Sequence, residues 1–267
     1  NKKTIIVAEL LFFVLFLSWT VFRAYQNDTG TTEKPMDLMF ISSIIRSDSF
    51  PPNDGWLSGY SISYYYFGYL MSAMLTMLSG VSNGIGYSLT VSLWFALTGL
   101  AAFGVANNLV RSRTLRDSAA GLSSGLLAMV FVVLLGNFQL PLIEIPYQSQ
   151  AASTEYLDFW GTNERSGTAL EGYEQLDDAP LVEDAASWNY WWWFRASRVL
   201  TDYNLDGSLF GIQPIDEFPQ FSFLLGDNHP HVLALPFVIM TLGLAFNLLS
   251  KTHHPTRDDR LLYGLVV

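Results

Sequence analysis

Long apolar runs are the feature that most limits what this chain can fold into. The first covers Thr4 to Phe22, and others cover Ile85 to Val110, Ser118 to Leu135 and Val232 to Leu249. At ~1.5 Å per residue, a helix of about 20 apolar residues crosses the ~30 Å hydrocarbon core of a bilayer. Because backbone groups inside lipid must bond to one another, such runs predict helices. The chain is therefore expected to be an all-α integral membrane protein, built as a multi-spanning helical bundle.

Composition agrees with this class and excludes others. Half of the 267 residues are hydrophobic and only 14% are charged, which is typical of membrane proteins. The absence of cysteine excludes disulfides, thiolate metal sites and cysteine nucleophiles. The net charge of -10 disfavours nucleic acid as a partner, because no basic surface is available to neutralise phosphates. Membrane lipid is the expected partner.

Two basic clusters predict the orientation of the spans. They follow the second and the last apolar runs and comprise Arg111, Arg113, Arg116, Lys251, Arg257 and Arg260. Short loops rich in arginine and lysine stay in the cytoplasm. Both clusters reach that side only if the segment Ser58 to Leu78 does not cross the bilayer. We therefore expect a multi-pass protein of the cell membrane with a cytoplasmic N-terminus and extracytoplasmic long loops.

This topology divides the chain into three parts. The N-terminal membrane part, residues 1–135, holds spans at 4–22, 85–110 and 118–135 and an outer loop with juxtamembrane helices at 27–84. An outer acidic and aromatic loop region follows at 136–231, and residues 232–267 hold further spans. A further apolar run begins at Leu261 and is too short to cross, so we expect the parent chain to continue.

The segment Ser58 to Leu78 is rich in tyrosine, with Tyr60, Tyr64, Tyr65, Tyr66 and Tyr69. A tyrosine ring has an apolar body and a polar tip, which suits the headgroup level of a membrane. The segment is therefore predicted to be an interfacial helix. A tyrosine-rich end of an ordinary span is the alternative.

A polar stretch whose side chains could bind a metal precedes the apolar run Val232 to Leu249. In it Asp227, His229 and His231 alternate, so an extended backbone would turn all three side chains to one side. Oxygen and imidazole ligands together suit Mn or Zn better than Mg, which prefers oxygen alone. The stretch therefore predicts a divalent metal site. The alternative is a plain helix cap, in which Asp227 or Asn228 bonds backbone N–H groups and Pro230 lies in the first turn.

Arg195 and Arg198 are the second candidate for a binding role. Their spacing places them on one face if the segment is helical, and a guanidinium group matches phosphate oxygens. Basic residues are scarce in the predicted outer region, so these two are expected to bind a lipid phosphate. A salt bridge to a nearby acid is the competing explanation.

Four separated motifs in one order give a resemblance to a known family. They are EKPMD at Glu33–Asp37, FPPNDGW at Phe50–Trp56, YYYFGY at Tyr64–Tyr69 and EFPQFSFLLGDNHPHVLALPF at Glu217–Phe237. The chain resembles the prokaryotic YYY membrane proteins of Chloroflexi and archaea, named for the tyrosine triplet. That family is similar in layout to the GT-C glycosyltransferases, which take a sugar from a polyprenyl-phosphate carrier on the outer face of the membrane.

The resemblance implies a GT-C-like fold and a hexosyl transfer with inversion. It implies Asp37 as general base, with Glu33 as the second catalytic acid. The implied donor-phosphate ligands are Arg195, Arg198 and Lys34; the metal ligands for Mn, Mg or Zn are Asp227, His229 and His231; the supporting residues are Glu217, Asp54, Tyr64, Tyr65 and Tyr66. The chain departs from the pattern of the first loop because Glu33 and Asp37 are four apart, and Pro35 between them predicts a turn.

A non-catalytic role is the alternative. The same acids and histidines would then be structural, in a membrane scaffold or in a subunit that contacts other membrane subunits. Against a pure scaffold, the polar residues gather in short, dense motifs. Against a transport path, ionisable residues inside the spans are few.

Overall fold

The structure is a computed structural model that describes residues 2–113, 118–138, 141–142, 145–149, 151–159, 197, 202–208, 210 and 214–251. These residues form helices joined by loops, with an isolated β-bridge between Asn53 and Ser61. Three helices, Lys2–Tyr25, Asn83–Ser112 and Pro230–Leu249, are long and apolar enough to cross a membrane. The predicted all-α membrane class is confirmed.

The helices are numbered in chain order. They are α1 Lys2–Tyr25, α2 Lys34–Arg46, α3 Phe67–Ser79, α4 Asn83–Arg113, α5 Ser118–Val130, α6 Ile145–Gln148, α7 Thr154–Phe159, α8 Pro219–Leu225 and α9 Pro230–Lys251. A π-helical turn, Phe131–Leu135, continues α5, and together they count among the shorter apolar helices. The chain divides into two compact units, one of Asn1–Val133 with Gly226–Val267 and the other of Leu134–Leu225.

Helix α4 lies at the centre of the first unit, where it contacts α1, α2, α3, α5 and α9. The buried residues of α1 are Leu15, Trp19 and Arg23, which are four apart and so form one stripe along the helix. Within this stripe the Trp19 ring stacks on Phe95 of α4 with centroids 3.9 Å apart. The same stripe carries Arg23 into the interior at the end of α1.

Helix α2 is amphipathic and buries two of its charged residues, Lys34 and Asp37. Lys34, Asp37, Phe40, Ile41 and Ile44 face inward at spacings of three and four, which is one helical face. The turn expected from Pro35 is not present. Proline lies instead in the first turn of α2, where its missing N–H costs no helical hydrogen bond.

Helix α3 is shorter than the predicted interfacial helix, because it begins only at Phe67. Tyr64 and Tyr65 therefore precede the helix, and Tyr66 is its N-cap. Gly80 ends it in the left-handed conformation with φ of 69°, as is common for helix C-termini. With 13 residues, α3 spans about 20 Å at ~1.5 Å per residue, less than a bilayer core of ~30 Å.

The second unit is described in short pieces. They include α6, α7, α8 and a turn in which the Ser208 backbone N–H and hydroxyl donate to Asp206 Oδ1 at 2.9 and 2.6 Å. The Asp216 backbone N–H donates to the Ser197 carbonyl at 2.8 Å. Arg195, Arg198 and the run expected to begin at Leu261 lie outside the described residues.

Candidate carboxylate and histidine site

The first unit brings together two polar stretches that are far apart in the sequence. Glu33 and Asp37 come from the start of α2, whereas Asp227 and His229 precede α9. The second stretch turns at Gly226, whose φ of 76° is readily adopted by glycine alone. The early acids and the late histidine therefore belong to one cluster, although Glu33 and His229 are 196 residues apart.

Asp37 is the buried centre of this cluster, with no exposed surface. The Tyr69 hydroxyl donates to its Oδ1 at 2.6 Å, and the Asn228 backbone N–H donates to its Oδ2 at 3.2 Å. The Tyr87 hydroxyl lies 3.5 Å from the same Oδ2 and donates to the Gly226 carbonyl at 3.0 Å. Residues from α3, α4 and the segment before α9 thus fix one carboxylate of α2.

His229 lies between two carboxylates. Its Nδ1 contacts Asp227 Oδ2 and its Nε2 contacts Glu33 Oε2. Its backbone N–H donates to Asp227 Oδ1 at 3.2 Å. The two acids differ in access, because the side chain of Asp227 is 2% exposed and that of Glu33 is 62% exposed. The imidazole is therefore oriented on one side by a buried acid and on the other by an acid that reaches solvent.

The electrostatics of the cluster follow from burial and from the proximity of its acids. Burial, followed by the neighbouring carboxyl group of Asp227, raises the pKa of Asp37 to about 7. Burial alone would lower the pKa of His229, but its hydrogen bonds to Asp227 and Glu33 and the negative charges of Asp227 and Asp37 raise it to about 10. Two buried carboxyl groups this close favour a shared proton or a cation between them.

The donor set fits a divalent metal ion. Asp37, Asp227 and His229 each offer one ligand atom, and these atoms lie within 4.8 Å of one another; the imidazole of His229 would have to lose its proton to bind the ion. In addition, the buried Oδ1 of Asn228 has no hydrogen-bond partner in the described part of the chain. Asn228 lies between Asp227 and His229 in the sequence, so its side chain offers one more oxygen next to two of the ligand residues. Two carboxylates and one imidazole suit Mn or Zn.

His231 does not belong to this group of three, and Asp37 takes its place. Helix α9 begins at Pro230, so the alternating backbone expected across residues 227–231 ends at His229. His231 is exposed, and its ring stacks on that of His229 with centroids 5.7 Å apart. Pro230 is favourable in the first turn of a helix, so residues 230 and 231 are helical and not extended as the alternation suggested.

The expected supporting residues make contacts of their own, and Tyr64 also interacts electrostatically with Glu33, Asp37 and Asp227. Asp54 accepts backbone N–H bonds from Trp56 and Leu57 at 2.8 and 2.9 Å and so stabilises its own turn. Tyr64 stacks on Phe40 at 5.3 Å, and Tyr65 is 79% exposed. Tyr66 caps α3, while Glu217 lies just before α8 in the second unit.

Sequence reasoning missed several residues of the site: Tyr69 and Tyr87 as partners of Asp37, Asn228 as a backbone donor, and Arg23. Tyr69 belongs to the tyrosine-rich segment, Tyr87 lies in an apolar run and Arg23 directly follows one, and polar residues at such positions are easily attributed to an interface. A usable signal was present in α2, since Lys34 and Asp37 are one turn apart on its buried face.

The fold and the site together define a class: a helical integral membrane protein that gathers acids and a histidine around a buried carboxylate. The model of an uncharacterized membrane protein family (DUF2298) matches residues 1–267, and the chain belongs to that family. This is the YYY family predicted from the four motifs. No curated protein and no solved structure is similar enough to the chain to count as a match.

Proposed function

We propose that the protein is a GT-C-like glycosyltransferase that moves a sugar from a polyprenyl-phosphate donor to an acceptor on the outer face of the cell membrane. The observation that carries the proposal is the convergence of Glu33 and Asp37 with Asp227 and His229 in one cluster. Transfer from a lipid-linked phosphate needs a base for the acceptor and positive charge for the leaving phosphate. The cluster offers groups for both.

The metal ligands in this proposal are Asp37, Asp227 and His229. A divalent ion held there would supply positive charge to a phosphate oxygen in the transition state. Asp37 suits this role better than that of a general base, because it is buried and already accepts bonds from Tyr69 and Asn228. This revises the role that the family resemblance implied for it.

Glu33 is the proposed general base, because its side chain is 62% exposed and can reach an acceptor. It takes the proton of the acceptor hydroxyl as the oxygen attacks the anomeric carbon. The bond between that carbon and the phosphate oxygen breaks, and the lipid phosphate leaves with the electron pair. Attack opposite the leaving group inverts the anomeric configuration.

An apolar groove supports a lipid-linked donor. It lies between α4 and α9 and has a volume of about 360 Å³. Its lining includes Leu97, Gly104, Val105, Pro236 and Met240. Helix α4 carries Tyr87 near its start, and α9 begins just after His229. An isoprenoid chain lying along these two helices would therefore keep its phosphate at the end where the site lies.

The test uses the full-length protein in lipid nanodiscs with a panel of polyprenyl-phosphate hexoses. Sugar release to water without acceptor, and transfer to added polyprenol or peptide acceptors, are measured by radiolabel. We expect Glu33→Gln and Asp227→Asn to lower donor cleavage by at least about 100-fold. Asp48→Asn, which changes an exposed acid of the same loop, serves as the matched control.

The outcome also separates the enzyme from the non-catalytic scaffold. A scaffold would cleave no donor in any form, and Asp227→Asn would lower only its stability or its assembly with other subunits. Absence of cleavage across the panel, with a folded wild-type protein and unchanged surface glycans in cells that carry Glu33→Gln, would reject the glycosyltransferase.

A further inference from the structure

Arg23 is a buried cation that forms no ion pair with the residues described by the structure. It is 2% exposed, and its Nε and Nη2 atoms have no hydrogen-bond partner in the residues that the structure describes. Snorkelling does not explain it, because a snorkelling arginine keeps its guanidinium in water. The group instead packs against Gly226, where an added Cβ would collide with it. Gly226 immediately precedes Asp227, so Arg23 lies at the edge of the carboxylate and histidine site.

Lys34 is a second buried cation nearby. It is 4% exposed, and its charge interacts with those of Arg23 and Asp227. No hydrogen bond or ion pair within the described part of the chain engages its ammonium group. Lys34 is one helical turn before Asp37 on the inward face of α2, which directs it to the same side of that helix.

Asp28 is the carboxylate whose charge acts on both cations, but it does not neutralise them. Asp28 interacts electrostatically with Arg23 and Lys34 but is exposed. Its two oxygens accept bonds from the Gly30 backbone N–H at 2.8 Å and the Thr31 hydroxyl at 3.1 Å. A buried guanidinium with a second positive charge beside it is unfavourable unless an anion joins them.

We infer that Arg23 and Lys34 form an anion subsite beside Asp227, and that it takes the phosphate group of a phosphate ester. The guanidinium supplies N–H groups in a planar fork that matches two phosphate oxygens, and the ammonium supplies a point charge. This subsite deepens the proposed function and rests on it for the identity of the ester. The chemistry itself is shared by a lipid-linked phosphate and by free phosphate or pyrophosphate.

The test measures binding and not turnover. Full-length protein in nanodiscs is titrated with a fluorescent polyprenyl monophosphate, with the uncharged polyprenol, and with inorganic phosphate and pyrophosphate as competitors. We expect the polyprenyl phosphate to bind, and Arg23→Gln to weaken it by roughly 10- to 100-fold. Arg46→Gln is the matched control, since Arg46 ends α2 and is exposed. Polyprenol binding should not respond to either change.

Lys34→Gln provides a second variant if Arg23→Gln does not fold, as judged by gel filtration and thermal unfolding. Competition by phosphate or pyrophosphate at similar strength, lost in Arg23→Gln, supports the subsite and assigns it to a free anion. Phosphate-ester binding that is equal in wild type and in both folded variants overturns the subsite.

The two proposals fail separately. Binding that depends on Arg23 but is accompanied by no sugar release supports the subsite and counts against the glycosyltransferase. Sugar release together with phosphate binding that is insensitive to Arg23 and Lys34 supports the glycosyltransferase and counts against the subsite.

Discussion

Removing the hydroxyl of Tyr69 tests whether the cluster is built around the buried carboxylate of Asp37. Tyr69→Phe deletes one oxygen and leaves the ring in place. The bond it removes is short, 2.6 Å between the hydroxyl and Oδ1, and both residues are fully buried. Hydrogen bonds to charged groups contribute about 1.5–3 kcal/mol, so above the pKa of Asp37, which is about 7, we expect the free energy of unfolding to fall by that amount.

The assay is reversible unfolding in mixed micelles, followed by tryptophan fluorescence as the denaturing detergent fraction rises. Tyr65→Phe is the matched control, because Tyr65 belongs to the same tyrosine-rich segment and is 79% exposed. Surface changes of this kind stay within about 0.5 kcal/mol. If both variants unfold like the wild type, the bond between Tyr69 and Asp37 does not stabilise the fold, and the account of Asp37 as the fixed centre of the cluster is wrong.

Two further predictions concern the turn and the metal. Gly226→Ala should destabilise the protein by more than Gly59→Ala: both have positive φ, of 76° and 85°, but only the Cβ at 226 meets another side chain. Thermal unfolding in nanodiscs measures this, and equal losses would contradict the packing of Arg23 on the turn. Mn²⁺ or Zn²⁺ at about 100 times its dissociation constant should stabilise the wild type by about 2.7 kcal/mol. Asp227→Asn should abolish that gain and Asp48→Asn should keep it; a gain that survives Asp227→Asn excludes this metal site.

The spans were predictable because lipid imposes a simple rule on sequence. A long apolar run has to become a helix, and α1, α4 and α9 occupy the runs that were identified. The boundaries of shorter elements depend on local chemistry that the runs do not encode. Pro35 predicts a turn but lies in the first turn of α2, and the tyrosine triplet predicts a helix but precedes α3.

The site was predictable only in part, because its geometry depends on contacts across the chain. Spacing indicated Asp227 and His229, and the family resemblance implied Glu33 and Asp37, but neither gave a reason to place Asp37 among the ligands. That placement comes from α2 packing beside α3 and α4, and no local pattern reports it. Arg23 was missed for a similar reason, since only the packing of α1 on α4 reveals that its charge is buried.

The plain helix cap accounts for some of this arrangement but not for all of it. The carbonyl of His229 accepts the first helical bond of α9, from the Leu233 N–H at 3.0 Å, and Asp227 Oδ1 accepts the His229 N–H. A cap needs nothing more. It does not require the second oxygen of Asp227 to contact the imidazole, or a second buried carboxylate from α2 within 4.8 Å. Bringing those acids together out of water is unfavourable unless a cation or a proton joins them, so the cluster is more than a device for starting a helix.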